Sequence, residues 1–303
     1  MESAGPTGID PTRILGVDAA ADTDELAARL EQTRAAFDSV AEIYDGPRGN
    51  NSLVQAMRRR LWQEVDRLAP AGARLLDLGC GAGIDAERFA MEGFHVTAAD
   101  WSARMAERTL QRAQRCGLLQ RVEVLNLGIQ EVDQLPSGNF DLIYSNLGAM
   151  NCAPDLAAAA CSCWRLLRPG GAMVVSAIGR FCPWEIAIYL ARLNPRRGLV
   201  RFRRGSIPVR LNGGTVWTRY FTPGEFARAC AGRFRLERCR GLSIFTPPPY
   251  FEPFCLKHPT LTAMVQSMDD RLGSLPGLRA IGDHFLISLR RVNERAYGEM
   301  PAG

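Results

Sequence analysis

Lysine is almost missing from this 303-residue chain: Lys257 is the only one, so nearly all of the 37 basic side chains are arginine. Set against 32 acids they leave a formal charge of +5, too small and too dispersed to mark a general nucleic-acid binder. Histidine is equally scarce, which confines imidazole chemistry to His95, His258 and His284. No apolar run reaches the ~18 residues that a membrane-crossing helix needs. The opening segment, Met1 to Pro6, has no basic stretch leading into an apolar one, so no signal peptide is expected. Nine cysteines are present but form no C-x-x-C pair and no Cys/His cluster, so no metal site is expected. They read as reduced, mostly buried thiols of a cytoplasmic protein. At 47% hydrophobic residues the chain can bury a full core, and it contains no internal repeat or low-complexity tract.

The most informative stretch is Leu75-Leu76-Asp77-Leu78-Gly79-Cys80-Gly81-Ala82-Gly83, a short apolar strand running into a turn with glycine at every second position. Such spacing lets backbone approach a bound nucleotide and turn tightly into a helix. A dinucleotide site uses G-x-G-x-x-G, and here position 84 is Ile. Asp77 would also put a carboxylate near a pyrophosphate, which is repulsive. A ligand with a positive charge has the opposite preference, and S-adenosylmethionine carries both an ammonium and a sulfonium. The next strand, Phe94 to Asp100, ends in an acid 17 residues beyond Gly83, where a carboxylate accepts hydrogen bonds from two ribose hydroxyls.

Four blocks in order then resemble the class I S-adenosylmethionine-dependent methyltransferases, of the type acting on small molecules. They are Asp77-x-Gly79-x-Gly81-x-Gly83, Asp100-Trp101-Ser102 with Met105, Phe140 to Asn146, and Leu166-Leu167-Arg168-Pro169-Gly170-Gly171. The resemblance spans residues 75–178. It implies an α/β fold, a Rossmann-like seven-stranded, mostly parallel sheet with an antiparallel last strand and helices on both faces. It implies cofactor contacts at Asp77, Gly79, Gly81, Gly83 and Asp100, adenine contacts at Trp101, Ile129 and Gln130, and contacts near the methionine portion at Ser145 and Asn146. Tyr44 resembles the tyrosine that closes the N-terminal helix in many small-molecule members, where its hydroxyl reaches the cofactor. Arg48 and Asn51 are lesser candidates of the same kind.

Periodicity and caps divide the chain further. Helices are expected over 24–44 and 52–68, followed by strand-helix alternation from 74 to 178, which implies a parallel sheet. Thr222-Pro223-Gly224-Glu225 is a capping box starting the next core helix. The expected organisation is an N-terminal helical cap at 1–60, loose at its start. A methyltransferase core over 61–179, 222–245 and 283–293 follows, with lid insertions at 180–221 and 246–282. The insertions hold Phe181, Trp184, Tyr189, Phe202, Trp217, Tyr220, Phe221, Tyr250, Phe251 and Phe254, enough to line an apolar substrate pocket or to form the lid's own core.

Catalysis of methyl transfer needs orientation first, and a base only where the nucleophile must lose a proton. His284 and Tyr44 are the two candidates. An antiparallel last strand would bring His284 out on the ligand edge beside Asp283, although strand neighbours point to opposite faces and need not pair. His95 reads as structural and His258 as a loop residue. The block Asn146-Leu147-Gly148-Ala149-Met150-Asn151 departs from the Asn/Asp-Pro-Pro-Tyr/Phe box of base-amine methylases, and Asn151 reads mainly as a helix-start residue. The leading expectation is a small, lipophilic or natural-product-like acceptor. The alternatives are an RNA methyltransferase using the arginine-rich 195–210 stretch, and a cofactor-binding protein without transfer. Residues 183–210 could also lie against an anionic membrane surface. The sequence leaves the oligomeric state open.

Overall fold

The computed structural model describes residues 23–293. The expectations for residues 1–22 lie outside the described residues. Two helices come first, α1 (Thr23–Val40) and α2 (Ser52–Leu68), joined by a turn that carries Tyr44. Asn51 caps α2: its Oδ1 accepts from the Leu53 and Val54 N–H groups at 3.1 and 3.0 Å. That is a helix-start role, and it removes Asn51 from the cofactor candidates.

The alternating core follows as β1 (Arg74–Leu78), α3 (Ile84–Met91), β2 (His95–Asp100), α4 (Ala103–Arg115), β3 (Val122–Asn126), β4 (Phe140–Ser145), α5 (Leu156–Leu166) and β5 (Leu167–Ile178). Then come α6 (Pro183–Ala191), α7 (Pro195–Gly198), the hairpin β6 (Ile207–Leu211) and β7 (Gly214–Thr218), and α8 (Pro223–Ala229). The chain ends through β8 (Phe234–Leu242), α9 (Glu252–Lys257), α10 (Pro259–Leu272) and β9 (His284–Arg291). Seven strands form one sheet in the order β3-β2-β1-β4-β5-β9-β8. β1 to β5 are parallel, and β9 runs antiparallel to both β5 and β8. This is the expected Rossmann-like sheet with a reversed last strand.

Alternation along the strands sends side chains into two core layers. One face buries Leu76, Ile143, Val175 and Phe285 against Phe226 of α8 and Cys163 of α5. The other buries Leu75, Tyr144 and Val174 against Leu61 and Val65 of α2 and Phe89 of α3. α2 is therefore a full layer of the core, and the expected boundary at residue 60 falls inside it. Both halves of the α8 capping box are present: Thr222 Oγ1 accepts from the Glu225 N–H at 3.1 Å, and Glu225 Oε2 accepts from the Thr222 N–H at 2.7 Å.

The two insertions take separate places. The β6–β7 hairpin packs along α1, where the Trp217 N–H donates to Thr33 Oγ1 at 3.0 Å and the indole N–H to Gln32 Oε1 at 2.9 Å. Arg29 stacks on the same indole, 4.3 Å from its ring centre. Residues 246–282 pack instead on α2, through Asn51 Nδ2 to the Pro249 carbonyl (2.8 Å), Ser52 to Glu252, and Arg60 to Asp270. All nine cysteines are free thiols. Among the described residues no helix is long and apolar enough to cross a membrane.

Candidate active site

At the carboxyl ends of β1, β2 and β4 lies a cavity of about 290 Å3. Ligands of open α/β sheets bind at this edge. One wall is the turn after β1. Gly79 and Gly81 sit there at φ +73° and +57°, backbone that favours glycine. A Cβ on Gly79 would come within 2.4 Å of the Ala149 Cβ, and one on Gly81 within 3.1 Å of the Tyr44 ring. The turn is thus a cradle that only unsubstituted backbone can form.

Asp100 faces the same cavity. Its Oδ2 accepts from the Gly81 N–H at 2.8 Å and its Oδ1 from the Ser102 N–H at 2.9 Å. Each oxygen keeps a lone pair for a ligand hydroxyl. Burial raises its carboxyl to about 6, against the pull of those two backbone donors. Trp101, Ile129, Gln130, Asn146 and Tyr44 also line the cavity. Burial pushes the Tyr44 phenol up as well. The following residue, Asp45, anchors this turn to α4 through Arg108 at 3.0 Å and Arg112 at 2.5 Å.

Four expected contacts lie off the cavity wall. Gly83 is the left-handed N-cap of α3, and a Cβ there would meet Thr109 at 2.9 Å; its glycine is required by packing of α3 on α4. Ser145 is fully buried and donates to the Leu78 carbonyl at 2.9 Å, which ties β4 to β1. Asp77 lies beneath the cradle, 1% exposed, with Oδ2 lacking any hydrogen-bond partner. Burial and the neighbouring Asp85 carboxylate hold its carboxyl well above the ordinary range, with Arg58 opposing them. Asp85 is already matched by Arg58, by the Trp62 indole N–H (2.7 Å) and by Asn146 Nδ2 (3.2 Å). One buried acid is therefore left without a counter-charge.

His284 is the fourth. It pairs with Ile178 across β5, but its side chain is absent from the cavity wall. Contrary to the expectation from strand alternation, its Nδ1 lies 3.0 Å from Asp283 Oδ2. Asp283 also binds Arg201 Nη2 at 2.7 Å, and Arg201 and His284 together hold its carboxyl far below the usual range despite burial. Arg201 donates further to the Gly179 and Asp283 carbonyls and to Glu185. This network bolts the first insertion to the end of the sheet. Nothing in the sequence pairs Arg201 with Asp283, 82 positions further along the chain.

The far side of the cavity was not legible as a site. It is formed by Phe37 of α1, Leu147 to Ala149, Cys152 and Ala153 after β4, Ile178, and the hairpin residues Val209, Leu211, Val216 and Thr218. These hairpin residues occupy one face of the ribbon, since Val209 pairs with Val216 and Ile207 with Thr218. None of the ten insertion aromatics lines the cavity. Some form the insertions' own contacts, as Phe181 with Phe202 (5.9 Å) and Trp184 with Phe251 (6.3 Å), while Trp217 packs on α1 and Phe221 in the core against Phe226. No residue of 246–282 reaches the cavity. Asn151 is fully buried and bonds the Ile178 and Arg219 carbonyls at 3.1 and 2.7 Å, so it joins β4's exit to the first insertion. Among the described residues, no group of three or more His, Cys, Asp or Glu could hold a metal.

Comparison with known proteins agrees with this geometry. A family model described as a methyltransferase domain matches residues 76–175. The chain is 36% identical over 138 residues to the ubiquinone biosynthesis O-methyltransferase of Xanthomonas oryzae pv. oryzae, covering 43% of this chain and 55% of that protein. It is 30% identical over 172 residues to the protein of the same name from Aromatoleum aromaticum, covering 55% and 65% respectively. The chain thus spans between about half and two thirds of the length of these curated relatives. Among solved structures, geranyl diphosphate C-methyltransferase from Streptomyces coelicolor A3(2) shares the fold at a TM-score of 0.52, with 18% identity and 78% of each chain covered. A methyltransferase from Methanosarcina mazei does so at 0.54, with 19% identity, 76% of this chain and 98% of that one. The sheet order, the glycine cradle and the Asp100 shelf are those of the class I S-adenosylmethionine-dependent methyltransferase fold, and residues 76–175 carry a methyltransferase domain. The cradle and the two oxygens of Asp100 facing the cavity fit S-adenosylmethionine as its cofactor.

Proposed function

We propose that the protein transfers a methyl group from S-adenosylmethionine to a small, lipophilic acceptor held between the glycine cradle and the β6–β7 hairpin. The observation that carries this reading is the continuity of the cavity, polar at Asp100 and Gln130 and apolar at Ala149, Ala153, Ile178, Val209, Leu211 and Val216. The first insertion acts as the acceptor lid, and the second supports α2. Bound cofactor supplies an electrophilic methyl on a sulfonium centre. The chain would hold the ribose at Asp100 and set the adenine beside Trp101, Ile129 and Gln130.

Among the described residues the titratable side chains on the cavity wall are Arg34, Tyr44, Asp100, Cys152 and Arg210. Arg34 is tied to Glu31 and Asp38. Burial raises Tyr44 and pushes the Cys152 thiol up to about 12, so both stay protonated at neutral pH. Neither can act there as a base. The chain's contribution is then positioning and exclusion of water, and Tyr44 offers a hydrogen-bond donor. The names of the curated relatives fit transfer to an oxygen of such an acceptor.

Calorimetry with S-adenosylhomocysteine and NAD tests the cofactor half of the proposal. Labelled methyl transfer into lipid extracts, with mass identification of the product, tests the acceptor half. Label appearing only in RNA, or in nothing, refutes the acceptor assignment.

A further inference from the structure

α6 contains no buried residue, although every residue from Ile186 to Ala191 is apolar or aromatic. Just beyond its end at Ala191 comes Leu193, which is 91% exposed and whose backbone sits at φ +52°. That left-handed position, just past a helix end, is ordinarily glycine or asparagine. A leucine there is strained and covers nothing in this chain. Leu190, Leu199, Phe181 and Phe202 add exposed apolar surface on the same insertion. Phe181 meets Phe202 at 5.9 Å, and Arg197 stacks on Tyr189 at 5.2 Å, which holds α7 against α6.

The charge around this surface has one sign. No Asp or Glu occurs between Glu185 and Glu225. Arg201 is consumed by Glu185 and Asp283, but the exposed Arg192, Arg196, Arg203 and Arg204 have no carboxylate partner among the described residues. Exposed leucine and phenylalanine flanked by unmatched arginine fit a surface that is anionic outside and apolar a few ångströms below. RNA would match the arginines but would leave Leu190 and Leu193 in water.

We infer that the α6–α7 face of the first insertion docks on an anionic lipid bilayer, with Leu190 and Leu193 inserted and the four arginines at the headgroups. The geometry requires no turnover, so its test is separate from that of methyl transfer. The purified chain is floated with equimolar phosphatidylglycerol–phosphatidylcholine vesicles, with pure phosphatidylcholine vesicles, and mixed with a 20-nucleotide RNA. Binding to the anionic vesicles alone is expected. Each arginine at such a surface is worth about a fivefold change in affinity. Replacing Arg192, Arg196, Arg203 and Arg204 by Gln together should therefore weaken binding at least about a hundredfold. Leu193→Gly relieves the strained backbone, so it should keep or raise the melting temperature while weakening vesicle binding several-fold. Affinity for S-adenosylhomocysteine should be unchanged in both variants. No flotation, equal flotation with neutral vesicles, capture of RNA in place of vesicles, or undiminished binding by both variants overturns the inference.

Discussion

Protonation of Asp100 should set the pH dependence of cofactor affinity. Ribose hydroxyls donate to the ionised carboxylate, and that carboxyl is raised to about 6 by burial although the Gly81 and Ser102 N–H groups hold it down. A ligand that binds the ionised form binds weakly below this value and reaches full affinity above it. At pH 5 about a tenth of the sites would be ionised, so affinity for S-adenosylhomocysteine should fall about tenfold between pH 7.5 and pH 5. The stability of the ligand-free protein moves in the opposite sense. Because the folded carboxyl lies above its unfolded value, protonation favours the fold, and stability contributed by this group is lost as pH rises from about 4 through 6. Its upper bound is about 3 kcal/mol, reduced by the cavity's access to solvent. Calorimetric titrations at half-unit intervals, with melting curves in the same buffers, read both effects. Asp100→Asn should abolish the affinity slope and weaken binding at pH 7.5 at least tenfold. Its amide can satisfy one of the two backbone donors but not both, so some loss of stability accompanies it. A dissociation constant that stays flat from pH 5 to 7.5, or a slope that survives in Asp100→Asn, would refute the reasoning.

Three further outcomes separate cofactor contacts from scaffolding. Gly79→Ala, which drives a Cβ to 2.4 Å from Ala149 at the cavity wall, should cost most of the cofactor affinity; Gly83→Ala, pressed on Thr109, should lower the melting temperature without a comparable loss per folded molecule. Calorimetry corrected for the folded fraction distinguishes them. His284→Asn should leave S-adenosylhomocysteine binding unchanged and slow methyl transfer less than about threefold, since the ring is held by Asp283 away from the cavity; a larger fall at constant stability restores it as a base. Arg201→Met should destabilise the fold by about 3–5 kcal/mol in urea titrations, because it strands the buried Asp283 carboxylate.

Much of the core is legible because its signals are local. α2 spans the expected residues 52–68, given by apolar spacing that a helix repeats every turn. The Asp100 shelf is equally local, as the acid and the Ser102 N–H it accepts are two residues apart. What the sequence hides is direction and distance. Asp77, Gly83 and Ser145 have the residue types of a binding motif, yet their side chains or packing serve the layers beneath the cavity. The insertion aromatics have the composition of a pocket, but which surface they cover depends on how α6 and residues 246–251 fold back on each other. Hairpin residues such as Val209 and Val216 carried no signal, being ordinary strand valines until α1 is placed beside them.

That last arrangement bears on how acceptor preference could be moved between related enzymes. The sheet supplies the cofactor side of the cavity, while the opposite side comes from the hairpin and from α1, about 180 positions away in the chain. Trp217 reaches Thr33 and Gln32, and a Cβ on Gly214 would meet Ala36. A hairpin transplanted alone would therefore arrive without the helix that gives it its position. The exchangeable unit is two pieces, residues 23–44 and 207–218, and a chimera must carry both to inherit the acceptor while keeping the host's cofactor site.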